Sequence, residues 1–173
     1  MISIEMLLDA QTEARVRADW HRLAVAGLSS QGANPAPSNR PHVTMLVRRQ
    51  LRECAFQEAV SQLPIGIELG DPIVFRRGDR GVLARPVRMT RELLSLHESV
   101  HRAAGVGDDA PHTAPQEWVP HVTLARRVQL ASLERALSLV EPAFVGVGAA
   151  LRRWDSRSRE VTLLSCPASP GSV

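Results

Sequence analysis

The tetrapeptide Pro41-His42-Val43-Thr44 returns unchanged as Pro120-His121-Val122-Thr123, nearly half the chain further on. Only six histidines occur among 173 residues, so this repeat points to an internal duplication that brings two equivalent imidazoles into one fold. An imidazole titrates near neutrality, so one ring of a facing pair can be neutral while the other carries a proton. Such a pair suits in-line displacement at phosphorus. The neutral ring removes a proton from the attacking water or hydroxyl, and the charged ring donates one to the departing oxygen. Neither step requires a metal. Residues two apart on a strand share a face, so Thr44 accompanies His42 and Thr123 accompanies His121, while Val43 and Val122 turn inward. Each threonine hydroxyl can donate to a nonbridging phosphate oxygen as charge shifts in the transition state.

A second motif competes with the first. His97-Glu98-Ser99-Val100-His101 is a literal His-Glu-x-x-His on a helical segment, where residues i and i+4 share a face and could bind zinc, with Glu98 as general base of a metallopeptidase. Its extended form fails, since Gly105 falls one position late and no histidine follows at the required spacing. A third ligand would have to come from His112 or Glu117 in a proline-rich loop. Leu93, His97, Val100 and Ala104 also form one helical stripe, which makes His97 part of a packing face.

The elements that must position these residues follow the repeat. Ile2, Ile4, Met6 and Leu8 alternate with Ser3, Glu5 and Asp9, which predicts a half-buried strand with Leu7 as a mismatch. Asp9 can cap a helix running to about Leu28, with Val16, Trp20, Leu23 and Gly27 on one stripe. After each tetrapeptide come an apolar strand end, an arginine pair (Arg48-Arg49 or Arg126-Arg127), a helical pattern (about 51–63 or 130–140) and a proline. Two apolar runs around a polar turn follow, predicting hairpins over 65–87 and 144–164. A further helix spans about Thr90 to Ala104. Two long loops, 29–40 and 106–119, lead into the two histidine strands and are candidate cleft walls. The expectation is an α+β fold: one domain over 1–173 with pseudo-repeats of about 1–88 and 89–173, bilobal, with two antiparallel sheets flanked by helices around a central cleft.

Composition narrows the function. All 21 basic residues are arginines, against 18 acidic residues, and the formal net charge is +3. That modest excess fits a phosphate-bearing small molecule or a short nucleic acid better than genome-scale DNA binding. Cys54 and Cys166 have no metal or redox spacing, which fits a reducing compartment. No stretch approaches the roughly 18 apolar residues of a spanning helix, so no membrane partner and a cytoplasmic location are expected.

The paired His-x-Thr motifs, and Pro120-His121-Val122-Thr123-Leu124-Ala125-Arg126 in particular, resemble those of the two-histidine (2H) phosphoesterase superfamily, in its bacterial 2′-5′ RNA ligase and cyclic phosphodiesterase branch. The resemblance implies a bilobal fold, His42 and His121 as the acid-base pair, and Thr44 and Thr123 as phosphate-binding hydroxyls. It also implies opening of 2′,3′-cyclic phosphates, processing of 2′-5′ linkages and the reverse ligation. The partner would be a nucleotide or RNA with a terminal cyclic phosphate or a 2′-5′ linkage, handled by a monomer with no cofactor. Arg126, Arg40 and Trp118 are candidates for further substrate contacts, Trp118 by stacking on a nucleobase. A non-catalytic RNA-binding module of the same fold is the remaining alternative.

Overall fold

The computed structural model describes residues 1–165, so Cys166 lies outside the described residues. Two antiparallel sheets form the protein. The larger has the order β2 (His42–Arg48), β1 (Ile2–Leu8), β7 (Phe144–Asp155), β3 (Ile65–Leu69), with β8 (Glu160–Leu164) on the far half of β7. The smaller runs β4 (Ile73–Arg77), β5 (Arg80–Pro86), β6 (His121–Gln129). The helices are α1 (Ala10–Val25), the single turn α2 (Gln57–Val60), α3 (Arg91–Ala104) and α4 (Leu133–Ser138). Each half of the sequence lends strands to both sheets. The histidine strands β2 and β6 are outer strands of different sheets, and they lie against each other.

The cap signals act as read. Asp9 accepts from the Thr12 amide to start α1, and Thr90 accepts from the Leu93 amide to start α3. Helix α1 stops at Val25, short of Leu28, because Gly27 takes the left-handed conformation (φ 73°) just past the cap. Val16, Trp20 and Leu23 are buried as the stripe requires, and Gly27 lies outside it.

Four local expectations are corrected. Strand β1 is buried along all seven residues, because it sits between β2 and β7 in the sheet interior, with Ser3 and Glu5 buried beside the hydrophobics. The helix expected over 51–63 shrinks to one turn. No side chain caps it, and Leu51 and Phe56 are each drawn into the core from irregular backbone. The helix over 130–140 is a 3-10 turn followed by the short α4. The run 65–75 breaks at Gly70-Asp71-Pro72: β3 pairs with β7 in the large sheet, and only β4 and β5 form the hairpin, turning through Gly78 at φ 63°.

Outside the cleft, α1 is tied to the small sheet through a fully buried ion pair. Arg85 of β5 donates from Nε and a terminal nitrogen to Asp19 of α1 at 2.9 and 2.7 Å, and its remaining donors reach the carbonyls of Gly70, Glu141 and Pro142. Neither side chain is exposed.

Candidate active site

Each histidine strand carries a bulge one residue past its threonine. In β2, Thr44 pairs with Glu5 and Leu46 with Ile4, so Met45 is left over; in β6, Thr123 pairs with Ala84 and Ala125 with Leu83, so Leu124 is left over. The extra residue reverses the alternation downstream. Val47 and Arg126 therefore come to the cleft side, and Arg48 turns the other way into the interior. There Arg48 bonds Asp109 at 2.5 Å and the carbonyls of Ala104 and Gly105 at the end of α3. A second shift in β6 sets Arg126 and Arg127 opposite Val82 alone, and there Arg127 takes φ 57°.

The two imidazoles are held alike. His42 Nδ1 lies 2.7 Å from the Arg40 carbonyl, and His121 Nδ1 lies 2.7 Å from the Val119 carbonyl, in each case two residues upstream. A carbonyl can only accept, so Nδ1 carries hydrogen and Nε2 is the atom left for chemistry on both rings. Among the described residues neither the Thr44 nor the Thr123 hydroxyl has a hydrogen-bond partner, so both can donate to a ligand.

The walls are tied crosswise. Trp20 on α1 donates from Nε1 to the Thr123 carbonyl at 3.1 Å, and Trp118 donates to the Thr44 carbonyl at 2.9 Å. The loop before β2 reaches β6 through Ser29, which bonds the Arg126 carbonyl. The loop before β6 reaches β2, where the Ala110 amide donates to the Val47 carbonyl and the Val47 amide to Thr113 Oγ1. Each histidine strand is thus braced by the half of the chain that carries the other.

A cleft of about 480 Å³ opens over this arrangement, lined among others by His42, Thr44, Glu5, His112, Arg126, Arg152 and Trp154. His121 does not line that volume; it packs on Phe75 with ring centroids 5.0 Å apart. Thr123 meets His42 in a small recess beside Trp20. Burial pushes the His121 imidazole below its ordinary value and His112, His42 and Arg126 add repulsion, outweighing the Val119 carbonyl. Beneath the cleft, Glu5 is 4% exposed and accepts from Ser3 Oγ at 2.6 Å and from Arg152 Nε at 2.7 Å, with His42 Nε2 3.6 Å away. Burial raises the Glu5 carboxyl, but His42 and Arg152 more than offset it and hold it low. A second hollow, of about 560 Å³, shares Ser38 and Arg152 with the first and runs past Arg40, Arg159 and Val161.

Of the three additional candidates, Trp118 lies apart from the cleft, Arg40 lines the recess beside His42 and the second hollow, and Arg126 lines the main cleft. Trp118 is 5% exposed and stacks on His97 at 3.8 Å, so it supports the cleft floor and cannot receive a base. Arg40 commits its guanidinium to Glu13 at 2.5 and 3.0 Å. Arg126 lines the main cleft with its guanidinium uncommitted among the described residues. Glu5, Arg152 and Trp154 were not among the cleft residues expected from the sequence, and His112 was singled out there only as a zinc ligand, although its loop was expected as a cleft wall. The polar Ser3 and Glu5 on an otherwise apolar strand were the available signal.

The rival motif is structural. His97 Nε2 faces the Thr113 carbonyl at 3.1 Å and His101 Nε2 faces the Met45 carbonyl at 3.2 Å, so both nitrogens hold hydrogens, and neither can offer a metal its lone pair. Burial, with repulsion from His101, pushes His97 down to about 4, against the pull of the two carbonyls and Asp109. The unfolded chain protonates this ring near 6.5, so native stability is lost as pH falls from about 6.5 toward 4, by up to about 3 kcal/mol. Denaturant melts between pH 7 and 4.5 should show a shallower acid loss in His97→Gln than in wild type.

The 2′-5′ RNA ligase superfamily model matches residues 12–165, and the chain belongs to that superfamily of two-histidine phosphoesterases. Among solved structures, Kluyveromyces marxianus Usb1 with uridine monophosphate is similar at 10% identity, with a TM-score of 0.44, covering 95% of this chain and 97% of that one. A second structure of the same Usb1 gives 10% identity and a TM-score of 0.45, covering 95% and 96%. No curated protein matches the sequence. No helix among the described residues is long and apolar enough to cross a membrane.

Proposed function

We propose that this chain is a metal-independent phosphoesterase that opens 2′,3′-cyclic phosphates, or cleaves 2′-5′ phosphodiesters, of nucleotides or RNA ends, as a monomer, with His42 and His121 as its acid-base pair. The observation that carries this reading is the matched pair of rings, each locked through Nδ1 and each two residues before an unpartnered threonine hydroxyl. In hydrolysis a water oxygen bonds to phosphorus while one Nε2 takes its proton. The bond to the ribose oxygen breaks as the other Nε2 supplies a proton, leaving a phosphomonoester and a free hydroxyl. Thr44, Thr123 and Arg126 hold the nonbridging oxygens. Attack by a ribose hydroxyl in place of water gives ligation by the same groups.

The test is turnover of 2′,3′-cyclic nucleotides and 2′-5′ dinucleotides in excess EDTA. Hydrolysis should be undiminished; loss of turnover that returns with zinc would overturn the reading. The second hollow extends the site to longer strands. Arg159 has no partner among the described residues and stands where a neighbouring phosphate would pass. In Arg159→Ala, the salt dependence of oligonucleotide binding should weaken by about 0.7 in the log–log slope, the share of one phosphate contact on a single strand.

A further inference from the structure

The two histidines are alike in their Nδ1 contacts and unlike in what faces the rest of the ring. Beside His42 stands the buried carboxylate of Glu5, with Oε1 3.6 Å from His42 Nε2. That separation is too long for a hydrogen bond, so the carboxylate attracts a charged imidazole without taking its proton. Both oxygens are already occupied, Oε1 by Ser3 and Oε2 by Arg152. Burying an ionised carboxylate is costly unless its neighbours compensate, and Arg152, itself buried, supplies one paired charge while His42 stands as the other. His121 has no acidic partner among the described residues; Phe75 packs on its ring, and the charged or titratable groups near it are His42, His112 and Arg126.

We propose that Glu5 is a positioning residue that holds His42 as the proton donor of the pair and so leaves His121 as the acceptor. The proposal rests on the two-histidine reading above and gives it a direction. In hydrolysis, His121 Nε2 takes the proton from water and His42 Nε2 gives its proton to the departing ribose oxygen; exchange with solvent resets both rings. In ligation a ribose hydroxyl replaces water and the two rings keep these roles. The titratable and charged groups around His42 are Glu5 on β1, Arg152 on β7, His121 and Arg126 on β6, and His112 from the loop before β6. Glu5 is the only acid among them. The depressed His121 and the ionised Glu5 agree with this division of labour.

The experiment is an NMR titration of the histidine ring resonances without substrate, in wild type and Glu5→Gln, with the His42 signal assigned by its loss in His42→Asn. In Glu5→Gln the His42 midpoint should fall by about one pH unit, the effect of removing an opposite charge at this range, while the His121 midpoint stays within a few tenths. In the kcat/KM profile with a 2′,3′-cyclic nucleotide, the alkaline limb should move to lower pH by the same amount and the acid limb should hold. An unmoved His42 midpoint, or a shift of the acid limb alone, overturns the proposal. Should Glu5→Gln fold poorly with Arg152 left unpaired, Glu5→Gln with Arg152→Gln removes both charges, and His42 should shift in the same direction. The titration needs no turnover, so a chain that shows the shift but opens no cyclic phosphate sinks the proposed function and not the coupling.

Discussion

Replacing either His42 or His121 by alanine should lower kcat/KM for cyclic-phosphate opening by about 10²- to 10⁴-fold, the range that positioned proton transfer supplies. The two losses should not add. Once one ring is gone the concerted transfer is already broken, so the double variant should sit within about tenfold of the worse single variant. The rings differ in their expected signatures. Loss of the donor is felt most with poor leaving groups, so His42→Ala should recover more activity than His121→Ala when the ribose leaving oxygen is replaced by an activated nitrophenol. Both side chains are only partly buried and take a single backbone carbonyl each, so melting temperatures should change little. Steady-state kinetics beside thermal melts separates these outcomes; full activity in either alanine variant would remove that histidine from the reaction.

The largest effect on stability is expected at Asp19. Asp19→Ala leaves the Arg85 guanidinium fully buried with only the Gly70, Glu141 and Pro142 carbonyls around it. Stranding one member of a buried pair costs about 3–5 kcal/mol, which for a chain of this length lowers the melting temperature by roughly 10 °C. The cost has a second part, because Asp19 also receives the Glu141 amide at 3.1 Å and a donor from Arg22. The exposed pair between Arg88 and Glu68 should be worth about 1 kcal/mol or less, so Glu68→Ala serves as the comparison in the same melt. Replacing Arg85 and Asp19 together by Met and Leu should restore much of the loss, since an apolar pair carries no desolvation penalty. Equal melts for Asp19→Ala and Glu68→Ala would contradict this role.

What the sequence made legible was local. The repeated tetrapeptide, the caps at Asp9 and Thr90, and the period-two pairing of His42 with Thr44 and His121 with Thr123 all rest on neighbours within a few residues. The lost parts are long-range. Nothing near residue 70 says that β3 leaves its apparent hairpin partner for β7, since that choice is made by a strand more than seventy residues away. The matched bulges at Met45 and Leu124 leave no compositional mark, yet they decide that Arg126 faces the cleft and Arg48 the core. Trp118 was misplaced for a related reason: an indole before a histidine strand suits stacking on a base, and only the fold shows the His97 ring already occupying that face. His97 and His101, spaced for zinc, instead turn Nε2 to the Thr113 and Met45 carbonyls, which lie far from them in sequence. Glu5 was visible as a polar interruption in an apolar strand, but its meaning depends on His42 arriving beside it from another strand.

The most direct measurement of the central claim is the stereochemical course at phosphorus, followed with one diastereomer of a 2′,3′-cyclic phosphorothioate opened in isotopically labelled water. Two histidines that only move protons allow a single in-line displacement, and the product should show inversion. Retention would require two displacements through a phosphorylated residue, and it would contradict the assignment of His42 and His121 as an acid-base pair.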